Sequence, residues 1–144
     1  MTVVVDSNIF IAVHLTDEPL HTQAKQILNQ WHMKSVSLIA PHLFKSEVTA
    51  VLRKVVYQGR ISHQKGQVIL AELLNYPITF YEDEALLKRA FELANIFNRP
   101  RAYDSQYLAL AERLSCDFWT IDERLINAVT DKFHSVYWLG SWKG

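Results

Sequence analysis

Cysteine, glycine and proline are all scarce in this chain, and each scarcity removes a class of protein. The one cysteine, Cys116, cannot close an internal disulfide and makes a thiolate-rich zinc site implausible. Cys116 beside a strand reads as a small core residue. The four glycines, at 59, 66, 140 and 144, cannot supply G-x-x-x-x-G-K-S/T or G-x-G-x-x-G, so P-loop ATPase and dinucleotide-dehydrogenase readings have no support. Six histidines show no H-E-x-x-H spacing, and no G-x-S-x-G elbow is present. Apolar runs such as Ile9 to Val13 fall far short of the ~18 residues that span a bilayer, and the amino terminus has no basic, then long apolar, signal segment. A cytoplasmic protein with no membrane association is therefore expected. Net charge is also missing: 15 basic residues face 15 acidic ones, a mild argument against binding nucleic acid through a global positive field.

What remains is apolar and regular. Half of the 144 residues are hydrophobic (49%), with no low-complexity tract and no linker, so residues 1–144 are expected to form one domain with its own core. The β-branched run Thr2 to Val5 stops at the helix-start signal Asp6-Ser7-Asn8, and Ile9 to Leu15 follows as helix. Glu18 to Trp31 reads as helix, Val36 to Ala40 as strand, and Pro41 opens a helix to about Tyr57. Ser62 to Asn75 is helical, Ile78 to Tyr81 a strand, Asp83 to Phe97 and Ala102 to Leu114 helices, Asp117 to Thr120 and Val136 to Leu139 strands. Strands alternating with helices imply an α/β fold whose mostly parallel sheet is covered on both faces, with ligands outside the carboxyl ends of the strands.

Four acidic residues stand where a merely soluble protein would not need them. Asp6 and Asp122 each follow a strand and should lie at the carboxyl edge of the sheet; capping the next helix, worth ~1 kcal/mol, is the competing explanation. Glu47 projects between Leu43 and Val51, inside an apolar arc that includes Phe44, Val48, Leu52 and Val55. A carboxylate there is costly unless paired or metal-bound, and Lys54 is the candidate partner. Asp104 falls between Leu108 and Ala111 on a face shared with Tyr103 and Tyr107, or serves the helix dipole as a first-turn acid. Clustered carboxylates are how proteins bind hard cations such as Mg2+ and Mn2+ beside phosphate.

These strings resemble the PIN-domain family, in particular the short VapC-type ribonuclease toxins of toxin–antitoxin systems. Val3-Val4-Val5-Asp6-Ser7-Asn8-Ile9 resembles the opening motif, Ser46-Glu47-Val48 the helix-borne glutamate, Tyr103-Asp104-Ser105-Gln106-Tyr107 the second aspartate motif and Thr120-Ile121-Asp122 the closing T-x-D motif. The resemblance implies a three-layer α/β/α fold with a central sheet of four to five strands. It implies metal-dependent RNA cleavage, with Asp6, Glu47, Asp104 and Asp122 at a Mg2+ or Mn2+ site. Asn8 and Thr120 would be polar supports, Thr120 orienting a water or an Asp122 oxygen, and Glu123 could assist Asp122. An RNA substrate, a cognate antitoxin and a homodimer are the implied partners. Alternatives are a PIN nuclease of RNA processing or decay without an antitoxin, and a non-catalytic binding module. Arg99, Arg101 and Lys45, with Arg53, Lys54, Arg60 and Lys65, could form a phosphate-binding rim. Setting four pocket acids aside, the basic residues outnumber the remaining acids, so zero net charge is compatible with a nucleic-acid enzyme.

Overall fold

The computed structural model describes residues 1–144. Its elements are β1 (Thr2–Val5), α1 (Ser7–His14), α2 (His21–Met33), β2 (Ser37–Pro41), α3 (Leu43–Tyr57), α4 (His63–Leu74) and β3 (Ile78–Tyr81). They continue with α5 (Glu84–Ile96), α6 (Tyr103–Leu114), β4 (Asp117–Thr120), α7 (Glu123–Val129) and β5 (Val136–Trp138), closed by a 3-10 turn at Leu139–Ser141. The strands form one sheet in the order β3-β2-β1-β4-β5, and all four pairings are parallel. No helix is long and apolar enough to cross a membrane.

The chain starts at the centre of the sheet, builds outward through β2 and β3, then crosses back to lay β4 on the other side of β1. The connections reverse direction between β1 and β4, which opens a crevice at the carboxyl ends of these two strands. Val3, Val4 and Val5 are all fully buried, as a central parallel strand covered on both faces requires. Register sets Val5 opposite Trp119, and the Asp6 N–H donates to the Trp119 carbonyl at 3.0 Å, so Asp6 leaves β1 level with the end of β4.

A cluster of 34 buried residues forms the core. Helix α6 runs against β1, β2 and β4 and packs along α5, burying Tyr107, Leu108, Leu110 and Ala111. The Tyr107 ring stacks on Phe118 of β4, with centroids 5.4 Å apart and planes 15° from parallel. Ser62 caps α4 by accepting from the Lys65 N–H, and Asp83 caps α5 by accepting from the Leu86 N–H.

Several boundaries differ from the sequence expectation: the second helix runs on to Met33 and the second strand begins at Ser37. Pro41 does not open a helix; it ends β2 in register with Tyr81, and the His42 N–H donates to the Tyr81 carbonyl. The second helix begins at His21 rather than Glu18, because Asp17 and Glu18 are held in the preceding loop by the Arg60 guanidinium at 2.7 and 3.0 Å. The last strand ends at Trp138, and Leu139 turns into the 3-10 helix.

Candidate active site

Four elements converge on the crevice. Asp6 follows β1, Glu47 lies one turn into α3, Asp104 sits in the first turn of α6 and Asp122 follows β4. Asp6 occupies the cap position of α1 but makes no side-chain cap. Its Oδ2 instead accepts from the Thr120 hydroxyl at 2.8 Å and the Asn8 amide at 3.3 Å. Helix capping therefore does not explain Asp6. It does explain part of Asp122, whose Oδ1 accepts from the N–H groups of Arg124 and Leu125 while Oδ2 makes no hydrogen bond.

Glu47 is held through one oxygen. Its Oε1 accepts from the Tyr107 hydroxyl at 2.6 Å and from the Ser7 hydroxyl at 3.3 Å. The expected partner Lys54 is not involved, because α6 rather than α3 supplies the donor. Asp104 Oδ2 accepts from the Arg99 guanidinium at 3.3 Å. Glu47 and Asp104 line an open pocket of about 510 Å³ together with Arg99, Pro100, Arg101 and Tyr103.

The electrostatics show too much negative charge for the cations available. Burial, with the Glu47 and Asp104 carboxylates nearby, raises Asp6 to about 7 despite the Thr120 hydrogen bond. Burial also raises Glu47, with Tyr107 and Ser7 opposing and Asp104 adding to the rise. Asp104 is raised by burial and by Asp122, against the lowering effect of Arg99. An all-oxygen donor set with uncompensated charge suits a hard divalent cation. No three acidic, imidazole or thiol groups close on one point as they stand. The donor chemistry, carboxylate oxygens on four converging elements, fits such an ion.

The polar supports are placed next to Asp6. Asn8 donates to Asp6 and Thr120 and accepts from the Ile121 N–H, tying β1 to the end of β4. Thr120 is fully buried; its single hydroxyl hydrogen goes to Asp6 and its oxygen accepts from the Asp122 N–H, so it orients the Asp122 backbone rather than an Asp122 oxygen. Glu123 opens α7, and its side chain makes no hydrogen bond or ion pair.

Of the basic residues, Arg99 and Arg101 line the pocket. Lys45 stands over the Phe80 ring at 4.7 Å and borders a separate groove with Thr49 and Arg53, while Arg53 lies over Tyr57 and Arg60 is consumed by Asp17 and Glu18. Ser7 and Tyr107 are the functional-looking residues that sequence reasoning missed. Tyr107 was legible only as a core aromatic, since its hydroxyl partner lies 60 positions away.

A parallel five-stranded sheet with a carboxylate-lined crevice at its switch point places the protein among α/β folds that keep their functional side chains at the carboxyl ends of the central strands. The chain belongs to the PIN-domain family, whose model matches residues 3–130. Ribonuclease VapC9 of Mycobacterium tuberculosis is 33% identical over 124 residues, covering 85% of this chain and 87% of its own. Among solved structures, M. tuberculosis VapC20, titled a sarcin–ricin loop cleaving toxin, has a TM-score of 0.68 at 16% identity over 91% of this chain and 95% of its own. VapBC-1 from nontypeable Haemophilus influenzae has a TM-score of 0.63 at 17% identity over 98% of this chain and 100% of its own. These two likenesses extend the shared fold over nearly the whole length.

Proposed function

We propose that the crevice is the active site of a metal-dependent endoribonuclease, a phosphodiester hydrolase that serves as the toxin of a toxin–antitoxin pair. The observation that carries the reading is Asp6: a buried carboxylate raised to about 7 with two further carboxylates acting on it is a site arranged for a cation. The 33% identity to a VapC ribonuclease supports RNA as the substrate, and the likeness in fold to a VapC toxin supports a cognate antitoxin as partner.

In this reading Asp6, Glu47, Asp104 and Asp122 hold Mg2+ or Mn2+. When bound, such an ion supplies a water acidic enough to ionise near neutral pH and neutralises charge on the phosphate. The chain's own groups do the positioning. Thr120 and Asn8 fix Asp6 through Oδ2, and Oδ1, 3.4 Å from the Ser7 hydroxyl, is the oxygen left for the ion. The cap at α7 fixes Asp122 by Oδ1 and leaves Oδ2 for the ion. Arg99 and Arg101, on the pocket rim, receive the phosphate backbone. Exposed Leu87 and Phe91, one turn apart on α5, offer apolar area for a second copy in a homodimer.

The deciding experiment incubates the purified protein with RNA and Mn2+, beside Asp104→Asn and an EDTA control. Cleavage by wild type that is lost in both controls is expected. Equal cleavage by wild type and Asp104→Asn overturns the assignment.

A further inference from the structure

Tyr107 is fully buried in the core face of α6, where a phenylalanine would fill the same space against Phe118. Its hydroxyl is the anomaly. A hydroxyl buried without a partner is costly, so its presence needs a partner, and that partner is Glu47 Oε1 at 2.6 Å. That length is typical of a charge-assisted O–H to carboxylate bond. Burial and the nearby Asp6 and Glu47 carboxylates raise Tyr107 well above the ordinary tyrosine range, so it stays protonated and donates.

The consequence falls on Glu47. Its carboxylate sits at the end of a flexible side chain projecting from an otherwise apolar arc of α3, where Phe44, Val48 and Leu52 are buried. The Ser7 hydroxyl lies 3.3 Å from the same Oε1 and 3.4 Å from Asp6 Oδ1, and its one hydrogen serves one carboxylate at a time. Tyr107 is therefore the donor committed to Glu47, through Oε1, and Oε2 makes no hydrogen bond. The ring stack on β4 fixes the tyrosine, the tyrosine fixes Glu47, and the chain of contacts ties α3 to the strand end that carries Thr120 and Asp122.

We propose that Tyr107 is a positioning residue of the ion site: its hydroxyl locks Glu47 through Oε1 so that Oε2 is presented to the divalent cation. The proposal rests on the reading of Glu47 as an ion ligand. It assigns the hydroxyl a role that packing alone does not require, in the manner of outer-shell partners whose loss weakens metal sites about 10–100-fold.

The test measures Mn2+ affinity by isothermal titration for wild type, Tyr107→Phe, Glu47→Gln and the double variant, without RNA. Tyr107→Phe is expected to weaken Mn2+ binding about tenfold, the low end of that range because Ser7 remains. In the Glu47→Gln background the same change should cost nothing further, since the tyrosine acts through Glu47. Melting in EDTA by circular dichroism verifies that Tyr107→Phe is folded. A purely structural tyrosine would lower the melting temperature and leave the Mn2+ affinity unmoved.

A readout in the wild-type protein guards against a misfolded variant. Mn2+ should perturb the near-ultraviolet tyrosine absorbance through the Tyr107 to Glu47 bond, and Tyr107→Phe should shrink that difference signal to what Tyr103 at the pocket contributes. Wild-type affinity in Tyr107→Phe beside weakened Glu47→Gln overturns the role of the tyrosine and leaves the ion site standing. Equal loss with and without Glu47 also overturns it, as does a difference signal that is absent in wild type or undiminished in Tyr107→Phe. Unchanged affinity in Glu47→Gln overturns both the proposal and the ligand reading beneath it.

Discussion

Replacing Asp6 by asparagine should stabilise the metal-free protein while removing its response to metal. Asp6 is 6% exposed and raised from 3.8 to about 7. Three units at ~1.4 kcal/mol each mean that keeping this group ionised in the fold costs about 4 kcal/mol at high pH. That figure already includes the hydrogen bonds from Thr120 and Asn8, which oppose the rise, so an asparagine that is neutral at every pH and keeps both as neutral bonds removes the cost without further deduction. The gain at high pH is about 4 kcal/mol, which at this length raises the melting temperature by about 12–20 °C.

The pH dependence has a fixed sign. Below about pH 4 the carboxyl is protonated in both states and carries no penalty; as pH rises toward about 7 the unfolded chain loses its proton first and wild-type stability falls. The advantage of Asp6→Asn should therefore be full at about pH 8.5 and less than half as large at about pH 5, where the carboxyl is protonated in the fold and only the ionisation of the unfolded chain above 3.8 still weighs. Thermal melts of both proteins in EDTA at the two pH values measure it. Saturating Mn2+ should then raise the wild-type melting temperature, by about 2.7 kcal/mol of stability at a hundredfold excess over Kd, and leave the variant unmoved. A variant that is less stable than wild type at the higher pH, or that differs from it equally at both, would refute the claim that Asp6 stores uncompensated charge.

Arg99 is the only basic side chain bonded to any of the four acids, and it neutralises Asp104 in the absence of an ion. Arg99→Gln should therefore tighten Mn2+ binding severalfold in isothermal titration, and unchanged or weaker binding would show that the pair does not compete with metal. Arg101→Ala, at the pocket rim and unpaired, should lower the salt slope of RNA binding by about one in filter binding with Ca2+ in place of Mn2+; an unchanged slope would remove it from the phosphate path. A Cβ added at Gly66 would lie 2.8 Å from Val56 Cγ2, where α4 crosses α3, and the β-branched valine cannot swing aside. Gly66→Ala should cost about 1 kcal/mol in urea melts and become neutral or favourable once Val56→Ala opens the space, since alanine is the better helix former. A loss that persists in the double variant would rule out this contact as its cause.

The elements were legible because their signals are local. A β-branched run meeting Asp6-Ser7-Asn8 ends β1 at Val5, and the period of α3 puts Glu47 among Leu43, Phe44 and Val48 whatever lies outside the helix. Boundaries failed where a distant group intervened. Arg60 reached across 42 positions to hold Glu18, and Tyr81 paired with Pro41, and neither influence has a trace in the neighbouring residues.

The candidate site divides along the same line. Order and spacing in the chain singled out the four candidate carboxylates, because a charge inside an apolar arc or after a buried strand is anomalous in one dimension. Their partners were invisible there: Thr120 meets Asp6 from 114 positions away and Tyr107 meets Glu47 from 60. Those meetings depend on the order β3-β2-β1-β4-β5, which sets the ends of β1 and β4 side by side. Periodicity says which face of an element is buried, but a hydrogen bond also needs to know against which neighbour. The sequence alone thus determined the elements, the acids and the family likeness. Packing decided that Asp6 is not a cap, that Glu47 answers to a tyrosine rather than a lysine, and that only Arg99 and Arg101 among the suspected basic residues stand at the pocket.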